Sequence, residues 1–299
     1  MKVLVTGASG LLGKKLVTEL LANGHQVIAI YNRNPVPIED PSLEKYRIDI
    51  SDTVLLEDLI LKKRPGVIVH AAAYTDVDGC ERDKKKAWLV NVEATRSIVR
   101  AARVVRAHLI YISTDYVFDG ERGYYKETDI PNPVNYYGLT KLIAEELVGS
   151  SDLLYTIVRP SAIYGIGGSK KSFAEYVAEK LSKGEKVYAL VDQYVSPTLN
   201  TLLAKAVAEI VDMRPMGIFH VAGERMSRYE FAIKIAEKLN LPVDLVEKAS
   251  INDMKHWLAR RPRDSSLDTS KARRLLKTRF YDTNLALELF RNEWTAKTR

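Results

Sequence analysis

A single cysteine, Cys80, among 299 residues excludes an intramolecular disulfide and fits a reducing compartment. No apolar run approaches the roughly 18 residues that a membrane-spanning helix needs. His, Cys, Asp and Glu nowhere gather at ligand spacing, so no metal site is expected. The chain enters a strand-like run at once, without the basic, apolar and small-residue succession of a secretory leader. A cytoplasmic location is therefore expected. Glutamine is confined to Gln26 and Gln193 while Lys, Arg and Glu abound, a bias that leans toward a thermophilic source. No repeats or low-complexity segments occur. Acidic residues are in deficit: 38 Asp and Glu face 45 Lys and Arg, for a net charge of +7. The excess lies late, with twelve basic against five acidic residues over 255–299. These bases form no continuous run and have no interleaved aromatics. Solvated faces and a pocket for an anionic ligand fit that distribution better than a nucleic-acid surface.

What is present begins with Val3-Leu4-Val5-Thr6-Gly7-Ala8-Ser9-Gly10-Leu11-Leu12-Gly13, which reads as strand, glycine turn and helix, the helix stopping near Gly24. Gly7 allows the turn, Gly10 lets backbone approach a pyrophosphate, and Gly13 lets helix pack on strand. The helix N-terminus then offers its N–H groups to phosphate. The spacing is Gly-x-x-Gly-x-x-Gly rather than the Gly-x-Gly-x-x-Gly of ordinary dehydrogenases. A second strand, Gln26 to Tyr31, runs into Asn32-Arg33, where dinucleotide folds place an acid for NAD or an arginine for the 2′-phosphate of NADP. Arg33 favours NADP(H), with NAD(H) as the alternative.

Further along, a strand is expected at Tyr46–Ile50 and a helix after Ser51-Asp52 to about Arg64. A buried strand from Val67 opens into Ala71-Ala72-Ala73, small enough for a ligand to lie close; His70 reads as a structural group. A long helix over Lys84–Arg106 leads to strand His108–Ser113. This alternation predicts an α/β chain with a right-handed doubly wound parallel sheet. A helix starting near Tyr136 carries Tyr137 and Lys141 at i and i+4, on one face. A nearby ammonium lowers a phenol's pKa from about 10, so Tyr137 is a candidate proton donor. Strands at Lys186–Leu190 and Ile218–Val221 and helices at Phe173–Lys183, Leu199–Met213 and from Ser227 onward are expected after that.

The glycine spacing, Ser113-Thr114-Asp115 and the Tyr137/Lys141 pair together resemble the extended short-chain dehydrogenases/reductases. More narrowly, Thr114 to Phe118, Asp192-Gln193-Tyr194 with Pro197-Thr198, and Arg261-Pro262-Arg263 with Leu267-Asp268 resemble dTDP-4-dehydrorhamnose reductases. The same blocks are similar to the regulatory beta subunit of methionine adenosyltransferase. The resemblance implies a Rossmann-type domain over 1–164, with later returns near 186–221, and a smaller mixed lobe over 165–299. It implies NADPH-dependent reduction of a 4-keto sugar nucleotide, with Thr114 on the carbonyl oxygen, Tyr137 as proton donor and Lys141 on the phenol and the nicotinamide ribose. Cofactor contacts are expected from Gly7, Ser9, Gly10, Leu11, Leu12, Gly13, Asn32, Arg33, Asp49, Ile50, Ala71, Ala72, Ala73, Tyr137, Lys141 and Pro160. Substrate contacts are expected from Asp115, Val117, Phe118, Arg261 and Arg263, the two arginines as pyrophosphate ligands or as surface ion-pair residues. One position departs: the reductases carry a tryptophan after the sixth strand, where this chain has Ala162. The regulatory subunits also lack it. A cofactor-binding partner of methionine adenosyltransferase, a sugar-nucleotide epimerase and a homodimeric assembly thus stay open beside the reductase reading.

Overall fold

The computed structural model describes residues 1–298. Seven strands form its main sheet: β1 (Lys2–Thr6), β2 (Gln26–Tyr31), β3 (Leu43–Arg47), β4 (Val67–His70), β5 (His108–Ile112), β6 (Tyr155–Arg159) and β7 (Gly217–His220). All are parallel, in the order β7-β6-β5-β4-β1-β2-β3. The chain winds outward from β1 through β2 to β3, then crosses back to lay β4 on the other flank of β1, with Thr6 opposite His70. The loops leaving β1 and β4 therefore diverge and open a crevice at the carboxyl edge.

Period-two alternation splits each strand between two cores. Val3, Val5, Val27 and Val69 face helix α1 (Leu11–Ala22), while Leu4, Ile28, Ile30 and Ile68 face the opposite layer, α2 (Thr53–Lys63), α3 (Ala94–Val105) and α4 (Tyr136–Gly149). Leu16 and Leu20, one turn apart on α1, are wholly buried, each contributing roughly 1.5–3 kcal/mol. Local chemistry sets the helix ends. Asp52 accepts the Leu55 N–H at 3.2 Å to start α2, and Asn135 accepts the Gly138 N–H at 2.8 Å to start α4. Ser172 with Glu175 and Ser227 with Glu230 form capping boxes for α5 (Phe173–Ser182) and α7 (Arg228–Lys238).

Three expectations are corrected. The third strand lies at Leu43–Arg47, not Tyr46–Ile50, because the Asp49 side chain bonds the Ser51 backbone and turns the chain off the edge. The helix over Lys84–Arg106 is interrupted: Lys84–Trp88 is followed by a π-turn at Leu89–Glu93 and then α3. At that bulge Asn91 turns inward to bond Tyr74 N–H, Tyr74 C=O and Thr140 Oγ1. Finally, Val187–Leu190 does not return to the main sheet but pairs in parallel with Val246–Ala249. The return is made by α6 (Asn200–Met213), which packs on α1, and by β7 beside β6. The rest of the chain contributes α5, α7, α8 (Thr283–Thr298) and two further strand pairs, Ile163–Tyr164 with Thr198–Leu199 and Tyr194–Val195 with Met226–Ser227. Among the described residues no helix is long and apolar enough to cross a membrane.

Candidate active site

The glycine loop is built for a tight approach. Gly7 sits at φ +67°, and a Cβ there would lie 2.9 Å from the Ala72 backbone. A Cβ on Gly13 would collide with the Gly7 carbonyl and stand 2.8 Å from Ala8 Cα, so helix and loop meet only because that side chain is missing. Gly10 is the N-cap of α1 and supplies no side-chain cap, which leaves the first helical N–H groups open toward the crevice. Leu12 is buried in the core, so only its main chain is available there. At the tip of β2, Asn32 donates to Asp49 Oδ2 at 2.9 Å, with Arg33 exposed beside them. Burial raises the Asp49 pKa, but Ser51, Asn32 and the Arg33 charge outweigh it and hold the carboxyl below its usual range. Ile50 turns its side chain into the core.

Across the crevice, His70 joins the two walls. Thr6 Oγ1 lies 2.7 Å from His70 Nδ1 and accepts the Ala72 N–H at 3.1 Å. His70 Nε2 lies 3.1 Å from Thr95 Oγ1, which donates to the Asn91 carbonyl at 2.7 Å. These partners assign the proton to Nε2. Burial first, then the Lys141 charge, pushes the imidazole down to about 3, so it stays neutral and positions the Ala71–Ala73 loop. Neither Thr6 nor Thr95 is identifiable from the sequence, because their role exists only once β1, β4 and α3 are adjacent.

Thr114, Tyr137 and Lys141 converge where β5 ends. Thr114 Oγ1 accepts the Tyr116 N–H at 3.2 Å and donates to Asp115 Oδ1 at 3.1 Å. Tyr137, on the first turn of α4, packs with Cys80, Ala87 and Tyr116, the Tyr116 ring edge-on at 6.0 Å. Burial holds its phenol well above the ordinary range, with the Thr114 hydroxyl pulling the other way. Lys141 Nζ donates to the Ile112 carbonyl at 2.7 Å and lies 4.2 Å from the Tyr111 ring centroid. Burial lowers it to about 7 against the charge of Glu145. The expected depression of the Tyr137 pKa is thus reversed: the ammonium is engaged elsewhere and desolvation dominates. The raised pKa keeps the phenol protonated at neutral pH, the form a proton donor needs.

The residues expected at the substrate are only partly available. Asp115 is buried, accepting from Ser161 at 2.8 Å and Ser265 at 2.5 Å as well as from Thr114, so it ties three segments together beneath the site. Burial raises its pKa. Val117 and Phe118 are fully buried, Phe118 stacked on Tyr125 at 4.3 Å, and neither side chain can touch a ligand. Arg261 forms a bidentate pair with Asp78, at 3.0 and 2.9 Å, and Asp78 also accepts the Leu258 and Ala259 N–H groups. Arg261 is thus engaged in an ion pair, whereas Arg263 is exposed. It lines a cavity of about 930 Å³ with Arg260, Trp257, Asp192 and Tyr194. Ala162, in the tryptophan position, adopts φ +42°, and Pro160 meets the site through its carbonyl, which accepts the Asp115 N–H at 3.0 Å. Among the described residues no group of three or more His, Cys, Asp or Glu could hold a metal ion.

The family model described as RmlD substrate binding domain matches residues 1–295. A structure described as a hypothetical dTDP-4-dehydrorhamnose reductase from Sulfolobus tokodaii is 47% identical, covers 96% of this chain and 99% of its own, and superposes with a TM-score of 0.85. A dTDP-4-dehydrorhamnose reductase from Bacillus anthracis in complex with NADP is 30% identical over 97% of this chain and 98% of its own, also at TM-score 0.85. Methionine adenosyltransferase 2 subunit beta from Bos taurus is 33% identical over 90% of this chain and 81% of its own.

Proposed function

The chain belongs to the RmlD substrate binding domain family, and from that premise we propose that it reduces a 4-keto sugar nucleotide, dTDP-4-dehydrorhamnose to dTDP-L-rhamnose, with NADPH. It is an NADP-dependent oxidoreductase of that family. The observation that carries the reading is the convergence of Thr114, Tyr137 and Lys141 at the carboxyl edge, across the crevice from an uncapped α1 N-terminus.

The residues present fit a dinucleotide. The glycine cradle has no room for a Cβ at Gly7 or Gly13, the open N–H groups of α1 suit a pyrophosphate, and exposed Arg33 suits a 2′-phosphate. Bound NADPH would supply the hydride. Thr114 orients the ketone oxygen through its hydroxyl, whose present partner Asp115 is itself anchored by Ser161 and Ser265. Tyr137, neutral and desolvated, releases its phenolic proton to the developing alkoxide. Lys141 would hold the ribose side of a bound cofactor and offer positive charge to the resulting phenolate. Aromatic packing around Tyr137 excludes water from the transfer. The cavity lined by Arg260, Arg263 and Trp257, together with Asp119, Asp192 and Asp264, offers an aromatic face and charges of both signs to the nucleotide end of the substrate.

A second reading, a cofactor-binding regulatory subunit whose chemistry is idle, draws on Ala162, which cannot stack on a sugar, and on the regulatory-subunit relative. NADPH oxidation by the purified protein, with and without dTDP-4-dehydro-6-deoxy-L-mannose, separates the two. Turnover supports the reductase. Tight NADPH binding without turnover sinks it and calls for a pull-down with methionine adenosyltransferase.

A further inference from the structure

Six arginines of the described chain are not exposed: Arg96, Arg159, Arg225, Arg228, Arg261 and Arg291. Five of them meet a carboxylate, respectively Glu93, Glu145, Asp264, Asp78 and Glu288. Arg228 alone has none within 4.0 Å.

Its setting does not otherwise satisfy it. Arg228 is the first residue of α7, where its backbone N–H bonds the Gln193 carbonyl at 3.0 Å. Its Nε reaches the neutral Gln193 Oε1 at 3.4 Å, and the guanidinium lies 5.1 Å from the Phe173 ring centroid. Burial pulls its pKa down, while Tyr116 and Asp115 are near enough to oppose that. Asp115 is no substitute partner, because both of its oxygens already accept hydroxyls from Thr114, Ser161 and Ser265. Beyond Nε the guanidinium donates to no acceptor in the protein, yet its nitrogens are not sealed from solvent, so its remaining N–H donors are open to an anion that enters beside them. The cation thus lies within electrostatic reach of Asp115 and Tyr116, the residues that immediately follow Thr114.

We infer that Arg228 binds the diphosphate of the substrate. The inference rests on the sugar-nucleotide reading given above: when the sugar is neutral, the diphosphate is the substrate's only anionic group. A planar fork suits two phosphate oxygens, and the Phe173 face restrains that plane. Arg261, the candidate suggested by the sequence, is already neutralised by Asp78 and leaves this role open.

The test titrates dTDP and thymidine separately into the full-length protein saturated with NADP⁺, for wild type, R228Q and R228M. Loss of charge-assisted bonds predicts dTDP binding weakened about 10- to 100-fold in both variants, with thymidine affinity unchanged. In turnover the KM should rise by a similar factor while kcat moves less. Unchanged dTDP affinity in both variants overturns the inference. Equal losses for dTDP and thymidine overturn it too, by making Arg228 a support for the fold of the cleft. NADP⁺ affinity reports whether each variant is folded, and R228M keeps the aliphatic stem should R228Q fail. Wild-type protein that neither binds dTDP nor turns over the keto sugar would instead remove the sugar-nucleotide reading itself.

Discussion

Lys141 is 2% exposed and carries a charge that the fold does not pair with a carboxylate. Replacing it with methionine should abolish most activity and yet stabilise the cofactor-free protein. Burial takes the ammonium from 10.5 to about 7. At about 1.4 kcal/mol per pH unit, holding it buried costs roughly 5 kcal/mol at and below pH 7. The sign follows from proton counting. Between about pH 7 and 10.5 the unfolded lysine still binds its proton while the folded one has released it, so stability rises with pH across that window. Methionine removes the penalty but deprives the Ile112 carbonyl of its donor, worth about 1–3 kcal/mol. The net expectation is a gain of about 2–4 kcal/mol near neutrality that fades toward alkaline pH. Urea unfolding of both proteins without cofactor, at neutral and alkaline pH, measures it. A Lys141→Met protein less stable than wild type at neutral pH, or a wild-type stability flat across the window, refutes the reasoning.

Tyr137→Phe keeps the packing against Cys80 and Tyr116 but removes the proton, so NADPH-dependent turnover should fall on the order of 10²- to 10⁴-fold with NADPH affinity retained; full activity removes Tyr137 as the donor. Arg33→Ala should weaken NADPH far more than NADH in a fluorescence titration, and equal losses would argue against a 2′-phosphate contact. Asp78→Asn gives up the charge that organises Leu258, Ala259 and Arg261. It should loosen that segment and raise the substrate KM several-fold while sparing NADPH binding; the environment of Trp257, whose ring lies 4.9 Å from the Arg261 guanidinium, should shift with it in tryptophan emission.

Local chemistry made much of the fold legible. β2 lies at Gln26–Tyr31 as its apolar run predicts, and Ser227 with Glu230 starts α7 as a capping box, because both signals are satisfied within a few residues. The broken helix was not legible, since the inward rotation of Asn91 answers to partners distant in sequence, whereas the third strand ends at a local Asp49–Ser51 turn that its apolar run conceals. Within the site, the i, i+4 spacing suggests the Tyr137 and Lys141 pair, whereas Thr114 enters only through the family resemblance. What the ammonium does there could not be read, because the Ile112 carbonyl that holds it lies 29 residues away.

The sequence by itself determined the parallel sheet, the glycine cradle and the identity of the chemical groups, all of which follow from period, small-residue spacing and residue type. Tertiary structure decided how each group is used. It sealed Asp115, Val117 and Phe118 beneath the site, matched Arg261 to Asp78, and left Arg228 without an anion. Burial and pairing depend on which segments meet in space, and charges change meaning with their neighbours: Arg261 is tied to Asp78, while Arg228 has no carboxylate to hold it.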